Sequence, residues 1–159
     1  MRNRTVVALS SRAGRVTLAC AAAAVIGAVA VPGPASATNY GTELFAGETL
    51  FANDYIKNGA LKLIMQTDGN LVLYSGSRAC AASNTTTTGA SKATMQHDGN
   101  FVVYSGLNAV WSSKTGGNPD YANGRVRLPT STKKHPQGEA RIQTPAGVKP
   151  QKAHPFWNC

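Results

Sequence analysis

Met-Gln-Thr-Asp-Gly-Asn-Leu-Val-Leu-Tyr at residues 65–74 returns as Met-Gln-His-Asp-Gly-Asn-Phe-Val-Val-Tyr at residues 95–104. A repeat set 30 residues apart implies one small structural unit used more than once. Within each copy, Asp68-Gly69 and Asp98-Gly99 mark a tight hairpin turn, because Asp and Gly tolerate the positive φ it needs. The flanks, 60–65 and 71–74 in the first copy, read as strands. Upstream, Leu44-Phe45 and Leu50-Phe51 are short apolar pairs split by Ala46-Gly47 and followed by Asn53-Asp54. No window carries an apolar period of 3.6 residues, so the chain is expected to be all-β without helices.

The repeated residues are mostly polar, and strand geometry gathers them. Side chains alternate faces beyond the turn. Asn70, Val72 and Tyr74 share one face, and Leu71 and Leu73 share the other. Gln66 closes the incoming strand beside Asn70, and Asp68 sits in the turn. Gln66, Asp68, Asn70 and Tyr74 are therefore expected to converge around Val72. The second copy offers Gln96, Asp98, Asn100, Val102 and Tyr104, backed by Phe101 and Val103. Each set supplies a carboxylate, two amides, a phenol and a small apolar patch. That combination suits a sugar, whose ring presents adjacent hydroxyls and apolar C–H faces, because an ionised Asp binds hydroxyls through charge-assisted hydrogen bonds. Phosphate calls for Arg, Lys or backbone donors, and neither set contains a base. One carboxylate per copy is too few for a metal, so no metal or cofactor is expected. The plainer reading is that Asp and Asn only shape the turn while Gln and Tyr satisfy backbone groups. Retention of all five residues in both copies favours binding.

Charge and processing signals bound the rest. Arg2, Arg4, Arg12 and Arg15 precede an apolar run from Val16 to Val31 and then Ala35-Ser36-Ala37. This is the pattern of a secretory signal peptide over 1–37, cleaved after Ala37. The run is short for a bilayer span of ~20 residues, so no membrane span is expected after cleavage, and the protein is expected to be secreted. Residues 38–113 hold four Lys or Arg against five Asp or Glu, net −1. Residues 114–159 hold eight against two, net +6. A near-neutral repeat region argues against nucleic acid as the partner. Six prolines lie beyond Lys114 and none lies between 38 and 113, so 116–159 reads as a basic, Pro-rich, irregular tail. Cys80 and Cys159 survive processing; an intrachain bond, two free thiols and an intermolecular bridge all stay open. Asn84-Thr85-Thr86 is a glycosylation sequon in a host that modifies secreted chains.

Gln-x-Asp-x-Asn-x-Val-x-Tyr resembles the signature of the bulb-type (monocot) mannose-binding lectins. The stretch from Glu43 to Leu50, then Leu63-Ile64-Met65 and Ala109-Val110-Trp111-Ser112-Ser113, is similar to the same family. The resemblance covers roughly 40–118. It implies a type II β-prism of short four-stranded antiparallel units with pseudo-threefold repetition, with the bulb-type domain over 38–115. It further implies mannose binding, in which Gln, Asp, Asn and Tyr bond the sugar hydroxyls and Val packs on the ring. Those roles fall on Gln66, Asp68, Asn70, Val72 and Tyr74, and on Gln96, Asp98, Asn100, Val102 and Tyr104. A homodimer is suggested by family analogy alone. The third unit departs from the pattern. Val126-Arg127-Leu128-Pro129-Thr130, where the period puts it, has no motif. Gln143 and Gly147 sit at suggestive places, and Trp157 follows Gln143 by nearly the interval from Gln96 to Trp111. Residues 141–159 are thus either a decayed third repeat or unrelated sequence. Ala81 takes the slot matching Trp111, and Cys80 matches Val110. In one reading Trp157 supplies the missing aromatic and a Cys80–Cys159 bond holds it there.

Other classes fit less well. A glycosidase needs two carboxylates ~5–10 Å apart, whereas Asp68 and Asp98 belong to separate units, and Glu43 and Glu48 flank a turn, where solvent should reach them. His97, His135 and His154 are scattered, and no nucleophile elbow or zinc motif is present. No enzyme is expected. A lectin-like secreted antibacterial protein, its cationic tail adhering to anionic envelopes, and a structural secreted module without working sugar sites are the alternatives.

Overall fold

The computed structural model describes residues 36–129 and 138–159. The leader expected over 1–37 lies outside them except for its last two residues. Among the described residues twelve strands form, with a single 3₁₀ turn at Thr86–Thr88. The first three are short: β1 (Glu43–Phe45), β2 (Thr49–Phe51) and β3 (Tyr55–Asn58). Then come β4 (Leu61–Met65), β5 (Leu71–Ser75) and β6 (Arg78–Ala82). The second repeat gives β7 (Lys92–Met95), β8 (Phe101–Ser105) and β9 (Asn108–Ser112). The last three are β10 (Arg125–Arg127), β11 (Glu139–Gln143) and β12 (Ala153–Asn158). They assemble as three antiparallel four-stranded sheets, ordered β3-β4-β5-β6, β2-β7-β8-β9 and β1-β10-β11-β12.

The first three strands distribute the chain over all three sheets. Leu44, Leu50 and Ile56 recur every six residues, and each is fully buried. Each sits on the edge strand of a different sheet. Between them the chain turns through Gly47 at φ +90° and Asn53 at φ +74°, a region open to Gly and tolerated by Asn. Leu63 and Leu73, Ala93 and Val103, and Val126 and Ile142 add the central rows of the three sheets to one common cluster. A single four-stranded sheet this short cannot bury an apolar face by itself; three sheets facing one axis bury all three faces at once.

The irregular tail expected over 116–159 is corrected where the structure describes it: 116–129 and 138–159 contribute β10, β11 and β12, which complete the third sheet on β1. Their register identifies the third unit. Leu50 pairs with Ala93 and Leu44 with Val126. Ala93 pairs with Val103 and Val126 with Ile142. Gly138, at φ +95°, matches Gly69 and Gly99 at +87° and +90°. Gln143 therefore occupies the place of Tyr104, not of a motif glutamine as the spacing to Trp157 suggested. Asn100 corresponds to Glu139, Val102 to Arg141 and Gln96 to Pro129. The period fails for a countable reason. Met95 and Phe101 are six residues apart, whereas Leu128 and Ala140 are twelve, and Ala93 to Val126 is 33 rather than 30.

The end of the chain is fastened to the first repeat. Cys80 Sγ is bonded to Cys159 Sγ, with Cα atoms 4.8 Å apart. Trp157 packs on Trp111 at 4.9 Å between ring centroids, and Phe156 lies 5.9 Å from Phe101 and 6.0 Å from Trp111. The Cys80–Cys159 bond closes a loop spanning 79 residues, and cross-links over loops of that size contribute roughly 2–4 kcal/mol. Reduction of the folded protein is expected to lower its melting temperature by on the order of 10 °C. Thermal scans with and without reductant check this, and superimposable melts of a monomeric sample would refute it.

Candidate functional site

The hairpin between β4 and β5 builds the first polar cup. Asp68 Oδ1 accepts the Asn70 backbone N–H at 2.9 Å, fixing the turn. Gln66 N donates to Asn70 O at 2.8 Å, closing the hairpin. Across the strands, Gln66 Nε2 donates to the Tyr74 hydroxyl at 3.0 Å. The β7–β8 hairpin repeats each contact. Asn100 N donates to Asp98 Oδ1 at 2.9 Å, Gln96 N to Asn100 O at 2.8 Å and Gln96 Nε2 to the Tyr104 hydroxyl at 2.5 Å. Gln, Asp, Asn and Tyr of each copy are brought together, and Asp68 and Asp98 lie on different sheets. The valines sit beneath these polar groups. Val72 is 3% exposed and Val102 2%, so each is buried.

A second layer, absent from the motif, holds each asparagine. Ser83 Oγ donates to Asn70 Oδ1 at 3.0 Å, and Thr85 N donates to the same oxygen at 3.3 Å. Thr85 Oγ1 donates to Gly69 O at 2.6 Å, and Leu71 N donates to Ser83 Oγ at 3.0 Å. Ser113 and Thr115 do the same for Asn100, Gly99 and Phe101 at 3.1, 3.3, 2.7 and 2.9 Å. Both hydroxyl pairs are buried. The sequence carried a signal for them: Ser-x-Thr stands 13 and 15 residues after each motif asparagine. With Oδ1 occupied, the Asn70 and Asn100 amides have their NH₂ groups left as donors. Asp68 keeps Oδ2, Gln66 keeps Oε1 and Tyr74 keeps its proton. Each cup thus combines donors and acceptors, which hydroxyl groups can satisfy from either side.

The flanks of the two cups differ. Gln66 and Tyr74 line a cleft of about 300 Å³ with Lys62, Ile64, Gly76 and Ser77. Lys62 Nζ lies 4.4 Å over the Tyr55 ring. Beside the second cup, Thr49 and Thr94 share a hydroxyl contact at 2.9 Å, and Phe51, paired with Lys92, is 56% exposed. His97 is an exposed turn residue, its Nδ1 2.8 Å from Asn123 Oδ1. The corresponding face of the third sheet is filled with ion pairs. Glu43 bridges Arg125 at 2.9 Å and Arg127 at 3.0 Å, and Arg141 meets Glu139 at 3.2 Å. Glu43 is therefore locked in this network rather than freely solvated. Gln143, in the tyrosine place, donates to Gln151 Oε1 at 2.8 Å. Charged pairs replace both valine and asparagine there, so the third face is not a cup. Among the described residues no cluster of His, Cys, Asp or Glu can hold a metal ion, and no helix is long and apolar enough to cross a membrane.

Three four-stranded antiparallel sheets around one core, two of them carrying a polar hairpin cup, define the β-prism class of lectin fold. The chain belongs to the monocot mannose-binding (bulb-type) lectin family. It is similar to monomeric monocot mannose-binding lectins from Gastrodia elata, with 33% identity over 73% of this chain and 94% of that chain and a TM-score of 0.54. It is also similar to the mannose-specific agglutinin of snowdrop (Galanthus nivalis) bulbs, solved with methyl-α-D-mannoside. There the identity is 32%, over 69% of this chain and 94% of that chain, with a TM-score of 0.54. A mannose-specific lectin of Colocasia esculenta, TAR1, is 49% identical over 45 residues, 28% of this chain and 20% of that lectin. The chain spans about a fifth of the length of the curated relatives it matches. No protein-family model matches it. These relatives and neighbours are lectins, which are not enzymes.

The buried hydroxyls yield a direct expectation. Ser113→Ala leaves the Phe101 N–H without its acceptor, and Ser83→Ala does the same to Leu71. Each substitution is expected to cost about 1–3 kcal/mol, read by urea denaturation. A loss below ~0.5 kcal/mol in both would show that the hydroxyls do not carry the turn.

Proposed function

We propose that this chain is a secreted carbohydrate-binding protein that recognises mannose or mannose-containing glycans through its two Gln-x-Asp-x-Asn-x-Val-x-Tyr cups. The observation that carries the reading is the pairwise identity of the cups. The same four side chains, held by the same Ser-x-Thr layer, appear on two sheets with nearly the same distances. A turn that only needed shaping would not require the Gln–Tyr bond or the orientation of the asparagine amide. In this reading Asp68 and Asn70 bind adjacent hydroxyls, as acceptor and donor. Gln66 and Tyr74 bind a further one, and the second cup does the same with Asp98, Asn100, Gln96 and Tyr104. The names of the relatives and the mannoside-bound snowdrop structure support the same ligand class. Secretion rests on the leader pattern at 1–37 and on the Cys80–Cys159 bond, which suits an oxidising compartment.

Exchange of hydroxyl–water bonds for hydroxyl–protein bonds gains ~1 kcal/mol each, so affinity for one sugar is expected on the order of millimolar. Useful strength then comes from engaging two cups at once. Isothermal titration with methyl-α-mannoside is expected to give heat in the parent chain and none in Asp68→Ala/Asp98→Ala. Absence of heat in the folded parent would overturn the reading. Each single substitution is expected to halve the number of sites and leave the remaining affinity unchanged.

A further inference from the structure

Asp54 is a buried carboxylate, 5% exposed. Its Oδ2 accepts the Phe51 N–H at 3.0 Å, and its Oδ1 accepts the Thr38 N–H at 2.8 Å. Among the described residues no Lys, Arg or His forms an ion pair with it. An ionised carboxylate out of water is costly unless a cation meets it. The segment that reaches it is pinned on both sides. Thr38 O accepts the Tyr55 N–H at 3.0 Å, Asn39 forms a parallel bridge with Tyr55, and Tyr40 N donates to Tyr55 O at 2.9 Å. The nitrogen of one particular residue, Thr38, is thus delivered to the buried oxygen. Thr38 is the residue that follows the small-x-small pattern Ala35-Ser36-Ala37.

We propose that Asp54 is the binding site for the chain's own new N-terminus: removal of the leader after Ala37 turns the Thr38 amide into an α-ammonium that forms an ion pair with the Asp54 carboxylate. The proposal rests on the secretory reading of 1–37. Chemically, a peptidase adds water across the Ala37–Thr38 bond. The hydroxyl goes to the Ala37 carbonyl and a hydrogen to the Thr38 nitrogen, and at neutral pH the amine takes up a further proton. The donor nitrogen stays in place, and its hydrogen bond becomes charge-assisted. A chain that keeps even Ala37 has a neutral amide there, so processing, rather than folding alone, completes the pairing at this edge of β3. Of the charged groups near this edge, Lys62 holds its Nζ 4.4 Å over the Tyr55 ring. Tyr40 is pushed above its usual value of 10.0 by burial first, then by Asp54 and Glu48, so its phenol stays uncharged where the amine titrates.

Two chains with defined starts, at Thr38 and at Ser36, each with and without Asp54→Asn, test this. Asparagine keeps an acceptor and removes the charge. The Thr38 chain is expected to melt about 3–6 °C above the Ser36 chain, and Asp54→Asn is expected to erase that gap. The gap is also expected to close as pH rises above the ordinary α-amine range of roughly 7.7–8.0, because the neutral amine no longer pairs. Equal melting of the two parents, or a gap that survives Asp54→Asn, overturns the ion pair. An intact mass showing that the secreted protein begins at another residue overturns the leader reading, and with it the role of processing, whatever the defined chains do.

Discussion

Three short sheets share one interior, and the rest of the molecule follows from that constraint. None of the sheets is wide enough to bury its own apolar face. Leu44, Leu50 and Ile56 solve the problem together by placing one buried residue on an edge strand of each sheet within thirteen residues of chain. The remaining strands then arrive in order, one unit per sheet. The core can close only if a third unit exists, whatever its outer face carries. Val126, Leu128, Ala140 and Ile142, all fully buried, meet that demand.

Inner and outer faces of the three units therefore answer to different physical demands. Inside, the three units agree in the positions of their apolar side chains and in a positive-φ glycine, at Gly69, Gly99 and Gly138. Gly138 also has no space for a side chain, since a Cβ there would collide with Leu61. Outside, two units carry a polar cup with one carboxylate each, and the third carries the Glu43–Arg125–Arg127 and Glu139–Arg141 pairs. A sugar cup needs uncommitted donors and acceptors. The third face has bound its own to each other, which costs the site without disturbing the core.

The cups also show how far a motif reaches. Asp68, Asn70, Gln66 and Tyr74 were legible from alternation about an Asp-Gly turn, because a hairpin is a local object. Ser83 and Thr85 belong to the same cup, yet they lie past the next strand, and sequence reasoning missed them because their one signal is a repeated offset. The near-complete burial of Val72 was not legible at all, because alternation places a residue on a face without saying how exposed that face is.

Local chemistry settled the all-β class, the two hairpins and the residues of each cup, since those depend on backbone preferences and side-chain order over about ten residues. Tertiary packing alone decided that β10, β11 and β12 form a third sheet: the sequence intervals between equivalent core residues are longer there, so no period survives, and only a partner strand, β1, reveals the register. Packing likewise chose the Cys80–Cys159 bond among the alternatives by bringing β12 to β6. It also brought the Thr38 nitrogen to Asp54, because contacts between residues far apart in the chain are selected by the shared core and are not encoded in either segment by itself.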